Sequence, residues 1–196
     1  MKTVAITGHT QGIGIAMAEY FRSKGYTVVG FSRQTGYDIN KEEDRARIIE
    51  EAKSADIFVN NAYDLKGNSQ GQNLILYQMT KLWANENKTL INISSIGGDF
   101  PESAVPYNIN KNKQDQHLKV ASHTTTRLHT INLKPFWTNT DWVNANWPDI
   151  AKGTYNWPNI GKVDVPDIIK TLDFILSNAD SMRITEISIY PKIDTN

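Results

Sequence analysis

Cysteine is absent from the 196 residues. That excludes disulfides, a thiol nucleophile and zinc held by thiolates. An excess of either charge is absent too: 21 Lys and Arg stand against 21 Asp and Glu, a formal net charge of zero. Nucleic-acid and membrane-surface binding both draw on a basic surplus, so neither partner is expected. No apolar run approaches the length that spans a bilayer. No charged leader with an apolar stretch comes before the first strand, so a cytoplasmic protein is expected. Repeats, low-complexity tracts and linkers are also lacking. The length suits one domain, residues 1–196, with a sizeable core.

What is present is alternation. Short β-branched runs at Thr3–Thr7, Thr27–Phe31, Ala55–Asn60, Leu90–Ser94, Arg127–Leu133 and Ile184–Tyr190 read as strands. A shorter run at Tyr37–Ile39 reads as a further one. Helical spacing separates them at Ile13–Lys24, Glu42–Lys53, Leu74–Trp83, Tyr107–Ala121 and Pro166–Leu176. Apolar strands alternating with helices predict an α/β protein, a doubly wound parallel sheet of Rossmann type with helices on both faces. The stretch Asn139–Lys162 departs from this rhythm. It is rich in Asn, Gly, Pro and Trp, and long irregular segments in compact domains tend to be lids or binding loops.

The first strand runs into Thr7-Gly8-His9-Thr10-Gln11-Gly12-Ile13-Gly14 and then a helix. Gly8 permits a tight turn, Gly12 lets backbone approach a pyrophosphate, and Gly14 lets the helix pack close to the strand. The helix N-terminus offers free N–H groups to phosphates. The same glycines would also suit a plain structural turn.

This T-G-x-x-x-G-I-G pattern resembles the short-chain dehydrogenase/reductase family, and the resemblance extends along nearly the whole chain. It implies that Gly8, Thr10, Gln11, Gly12, Ile13 and Gly14 surround a nicotinamide dinucleotide. Asn60-Asn61-Ala62-Tyr63 is similar to the family's N-N-A-G, with Tyr63 in place of the glycine. Asn61 and Ala62 then line the cofactor. Ser94-Ser95-Ile96-Gly97-Gly98 resembles the S-S-x-x-G of the catalytic serine. The local motif selects Ser95, whereas the usual spacing to the tyrosine selects Ser94. Tyr107 and Lys111 form Y-x-x-x-K, four apart on one helical face. The family's catalytic asparagine is matched to Asn68, with Asn73 as rival and a simple helix cap as the plain alternative. Pro135 and Thr140 match P-G-x-x-x-T, with Phe136 at the glycine, and the match implies cofactor contacts. The chain is shorter than most members, with losses around the third strand and the fourth helix.

NADP(H) is expected over NAD(H). The second strand ends Gly30-Phe31-Ser32-Arg33 without the acid that commonly binds ribose hydroxyls. Arg33 and Ser32 suit a 2′-phosphate, although Arg33 would equally serve as an ordinary surface residue. Asp38 looks like the family's aspartate beside the adenine, or caps a turn.

The resemblance implies carbonyl–alcohol redox chemistry on a small molecule. Tyr107 is the proton donor and Ser95 steadies the substrate oxygen. Lys111 lowers the phenol's pKa and holds the nicotinamide ribose, while Asn68 orders a water. Trp137, Trp142, Trp147 and Trp157 would form a lid over a flat or apolar substrate, pack the interior, or line a subunit interface. The four histidines show no metal spacing, so no metal is expected. A homodimer or homotetramer follows by analogy, through the helices bearing Leu74–Trp83 and Tyr107–Ala121. The rival readings are a catalytically silent NADP-binding sensor or scaffold of the same fold, and a nucleotide-sugar epimerase or dehydratase. The latter has little room for its substrate region.

Overall fold

The computed structural model describes residues 1–65, 70–103, 105–147 and 161–192. Its six-stranded sheet is parallel at every pairing, in the order β2-β1-β3-β4-β5-β6. The strands are β1 (Thr3–Thr7), β2 (Thr27–Phe31), β3 (Ile57–Asn60), β4 (Thr89–Ile93), β5 (His129–Pro135) and β6 (Glu186–Ile189). The helices are α1 (Gly12–Ser23), α2 (Glu42–Ala52), α3 (Gly71–Trp83), α4 (Pro106–Thr124), α5 (Asp141–Asn146) and α6 (Val165–Ser177).

Period-two alternation along each strand splits the core in two. Val4 and Ile6, Ile57 and Val59, and Ile91 join Met17 and Phe21 of α1 and Ile168 and Leu172 of α6 on one face. Ala5, Phe58 and Leu90 face the other way, against Ile48 of α2, Ile75, Met79 and Trp83 of α3 and Leu118 of α4. Both faces are covered, which explains why the strands carry so little polar sequence. The expected third strand at Tyr37–Ile39 does not form. Its backbone is held instead by the residues around it: Tyr37 N–H donates to Ser32 O (2.9 Å), Asp38 N–H to Asp44 Oδ2 (2.9 Å), and Ile39 O accepts from Arg45 Nη1 (2.9 Å). With these groups engaged, no ladder is left to build.

The order places β1 between β2 and β3. The chain winds one way into β2 and the other way from β3 onward. A crevice therefore opens beyond the carboxyl ends of β1 and β3, where ligands bind in open α/β sheets.

Candidate active site

A cavity of about 720 Å³ fills that crevice. Gly8 to Ile13 except His9, Ser32, Arg33, Asp38, Asn61, Ala62, Ser95, Tyr107, Lys111, Pro135 and Thr140 all line it. Gly8 and Gly12 adopt left-handed φ of 71° and 55°. A Cβ on Gly12 would meet nothing nearer than Thr140 at 3.6 Å, whereas one on Gly14 would lie 2.0 Å from Gly8 O. Gly12 thus leaves bare backbone under open groove. Gly14 is a packing residue where α1 crosses the turn, and it does not line the cavity. Open backbone at a helix N-terminus is a cradle of the shape and polarity that a pyrophosphate fills, so this end of the groove fits a dinucleotide. Asn61 fastens the turn to β3, its Nδ2 donating to Thr7 O (3.0 Å) and Gly8 O (3.3 Å).

At the end of β2 the Arg33 side chain is 68% exposed, with Asp64 Oδ2 3.7 Å from it. Ser32 caps the single turn Arg33–Thr35, where its N–H donates to Thr35 Oγ1 (3.0 Å). Asp38 faces the cavity and also caps a turn, its Oδ1 accepting from Asn40 N–H (3.0 Å).

The opposite end of the cavity is lined by Ser95, Tyr107 and Lys111. Pro106 opens α4 at a position where the missing N–H costs nothing. One face of the helix then turns Asn110, Lys111, Gln114 and Asp115 inward. Ser95 lies against the Tyr107 phenol and favours its ionised form, and the Ser95 hydroxyl accepts from Gly97 N–H (3.1 Å). Ser94 also lines the cavity, but its hydroxyl donates to Asp115 Oδ1 (2.6 Å). Lys111 Nζ donates to Gln72 Oε1 and to Ile93 O, both at 2.8 Å. Burial pushes the Tyr107 phenol up, against the opposing influence of Ser95. Burial likewise pulls the Lys111 ammonium down to about 7, with Asp115 opposing. The expected depression of Tyr107 by Lys111 is therefore not found. Lys111 Nζ lies 5.5 Å over the Tyr107 ring, and loss of water is the largest influence on the phenol. Tyr107 stays a neutral phenol at neutral pH, the form a proton donor needs.

Beneath these residues runs a buried amide network. Asn60, Asn92 and Asn132 stand in register on β3, β4 and β5. They are linked Asn60 to Asn92 (2.9 Å), Asn92 to Asn132 (3.0 Å) and Asn132 to Asp115 (2.8 Å). Gln114 joins Asn92 (3.1 Å), Gln72 (3.1 Å) and Asn73 (2.5 Å). Asn73, the rival for the catalytic asparagine, belongs to this network and not to the cavity wall. Asn68 lies outside the described residues.

Aromatic side chains roof the Tyr107 end. Trp147 meets Tyr107 edge-on at 5.6 Å, and Trp137 and Trp142 meet Trp147 at 5.6 and 5.2 Å. Three of the four expected tryptophans thus reach the cavity, and Trp157 lies outside the described residues. Two site residues had no clear signal in the sequence. Gln72 follows a glycine at the start of α3 in no recognisable motif, and only folding carries it to Lys111. Tyr63 stood out as a departure from a pattern, yet its ring lies over Lys111 Nζ at 4.9 Å and edge-on to Tyr107 at 5.0 Å. Among the described residues no helix is long and apolar enough to cross a membrane, and no group of three or more His, Cys, Asp and Glu could hold a metal.

Comparison with known proteins gives the fold a context. No family model and no curated protein matches the chain. Solved structures do. A small-chain dehydrogenase in complex with NADPH superposes with a TM-score of 0.74 at 19% identity, covering 96% of both chains. The 3-ketoacyl-(acyl-carrier-protein) reductase from Brucella melitensis, complexed with NADH, gives 0.73 at 20% identity, again over 96% of both. The 3-alpha-hydroxysteroid dehydrogenase from Pseudomonas sp. B-0831, also with NADH, gives 0.74 at 16% over 96% of this chain and 95% of that one. At these identities the likeness is one of fold, and the chain has the Rossmann-type fold of the short-chain dehydrogenases over nearly its whole length.

Proposed function

We propose that the protein is an oxidoreductase of the short-chain dehydrogenase/reductase type that uses NADP(H) to interconvert a carbonyl and an alcohol on a small molecule. The observation that carries this reading is the meeting of Ser95, Tyr107 and Lys111 at one end of a groove whose other end is a glycine cradle flanked by Arg33. A bound dinucleotide supplies the hydride. The protein's own groups do the rest. The Tyr107 phenol, neutral at neutral pH, donates its proton to the substrate oxygen during reduction. Ser95 hydrogen-bonds that oxygen and stabilises the charge it develops. Lys111, held by Gln72 and Ile93 O, is the group placed to hold the ribose at this end. Arg33 and Ser32 favour a 2′-phosphate over a bare ribose. Pro135 and Thr140 line the wall between the two ends, and Trp137, Trp142 and Trp147 cover a flat or apolar substrate. Asn68 is retained as the candidate fourth catalytic residue. Leu82 on α3 and Val120 on α4 are exposed apolar residues and support assembly through these helices into a homodimer or homotetramer.

A second reading, a dinucleotide-binding protein without catalysis, is favoured by Tyr63 lying over Lys111. Calorimetric binding of NADPH and NADH, followed by NADPH consumption over a panel of carbonyls, separates the two. For the oxidoreductase we expect binding, turnover, and a drop of about 10²- to 10⁴-fold in kcat for Tyr107→Phe with binding intact. Binding with no turnover on any carbonyl supports the silent reading. Failure to bind either dinucleotide overturns both. A monomeric mass by light scattering overturns the assembly.

A further inference from the structure

We propose that the adjacent residues Tyr63 and Asp64 form a latch across the groove, engaging both of its cations, and that a dinucleotide binds only by displacing them. This rests on the reading of the groove as a dinucleotide site. Lys111 spends two of its three N–H bonds on Gln72 and Ile93 O. The face of the Tyr63 ring takes the remaining side of the ammonium, 4.9 Å from Nζ. An aromatic face carries negative potential, so it satisfies a cation in place of a ligand oxygen. Arg33 is engaged in the same manner at the far end. Asp64 Oδ2 lies 3.7 Å from its guanidinium and is steadied by Asn40 Nδ2 at 2.5 Å. A ring and a carboxylate thus take up the two cations that a ribose and a phosphate would use.

The Tyr63 hydroxyl adds an independent observation. Its oxygen is shut off from solvent and has no hydrogen-bond partner. Buried polar groups are nearly always paired, and an unpaired one weakens the state that holds it. The closed position is therefore favoured at the ring and opposed at the hydroxyl, as a displaceable group requires. The chain before it is fixed, since Ala62 N–H donates to Thr7 Oγ1 (3.0 Å) and Asn61 is tied to Thr7 and Gly8. Opening therefore does not reach back past Tyr63, and the end of β3 keeps its place.

A ligand that binds only the open form has its affinity lowered by the fraction of molecules that are open. Tyr63→Ala removes the cover. It should bind NADPH and NADH alike about tenfold more tightly by calorimetry, if one molecule in ten is open in the parent. Tyr63→Phe keeps the ring over Lys111 and removes the unpaired hydroxyl, so it should bind both more weakly than the parent. Asp64→Asn frees Arg33 and removes a charge that repels phosphate, so the NADPH-to-NADH affinity ratio should rise about two- to fivefold. In stopped-flow mixing monitored by tryptophan fluorescence, the parent's binding rate should level off at high NADPH while that of Tyr63→Ala keeps rising. Parent protein that binds NADPH while Tyr63→Ala binds it no more tightly overturns the latch and leaves the proposed function standing. A parent and variants that all fail to bind either dinucleotide overturn both.

Discussion

Two lysines, Lys111 and Lys134, are each only 3% exposed, and their surroundings drive them apart. Lys134 lies beside Asp99, with Asp115 at 3.3 Å and Glu186 at 3.8 Å. Burial pulls its pKa down, but the three carboxylates outweigh burial and the net shift is upward. Lys111 has neutral oxygens and aromatic faces around it, so burial prevails and its value falls to about 7. Asp115 acts on both, pairing directly with Lys134 and reaching Lys111 only through space. Burial alone does not decide the charge of a lysine; the partners enclosed with it do. Around Lys134 the result is a fastening of the protein. Around Lys111 it is an amine able to change charge near neutral pH, an arrangement found at reactive sites.

The sharpest way to break this contrast is to remove each ammonium in turn. Lys134→Met leaves Asp115 buried without its counter-ion and should cost about 3–5 kcal/mol in urea unfolding. Lys111→Met should cost about 1 kcal/mol or less, because its acceptors keep other donors, Gln114 for Gln72 Oε1 and Gln72 for Ile93 O. Equal losses in the two variants would end the distinction. Gln72→Leu comes next. It strips a partner from Lys111 and from Gln114, at about 1–3 kcal/mol. With its accepting oxygen gone, the Lys111 ammonium loses support, so the inflection in the pH profile of kcat should move below about 7. An unmoved profile would reduce Gln72 to packing.

The pH dependence of stability is a smaller test. The folded value for Lys111 lies below its unfolded value. From about 7 up to the ordinary lysine range, the unfolded chain holds a proton that the folded chain lacks, and stability rises with pH. Lys134, shifted upward, contributes stability that is present below the ordinary lysine value and lost only as pH climbs through the raised one. Unfolding between pH 7 and 9 should therefore grow harder in the parent, and Lys111→Met should flatten that slope. The smallest effect is expected at Arg33, which is well exposed. Arg33→Ala should lower NADPH affinity by about five- to tenfold and leave NADH nearly unchanged. An equal loss for both would remove the argument for NADP(H).

Legibility in the sequence followed the range of the interactions. The alternation of Val4, Ala5 and Ile6, and the glycines of the first turn, are local, and they located six strands to within a few residues. The seventh candidate, Tyr37–Ile39, had a strand's composition. Its backbone partners came instead from Ser32, Asp44 and Arg45, which composition does not encode. Ser94 and Ser95 could not be separated by motif and spacing, since the two rules disagreed. In the structure one hydroxyl reaches Tyr107 and the other Asp115.

The sequence by itself determined the fold class, the glycine cradle and the four-residue spacing of Tyr107 and Lys111, because each depends on neighbours a few residues away. The tertiary structure alone decided which charges survive burial. Gln72 reaches Lys111 across 39 positions, Asp115 is joined to Asn132 of β5, and Tyr63, in the loop after β3, lies over the Lys111 ammonium of α4. The charge of a buried group follows from the dielectric and the partners enclosed with it, and those are assembled only when distant segments pack.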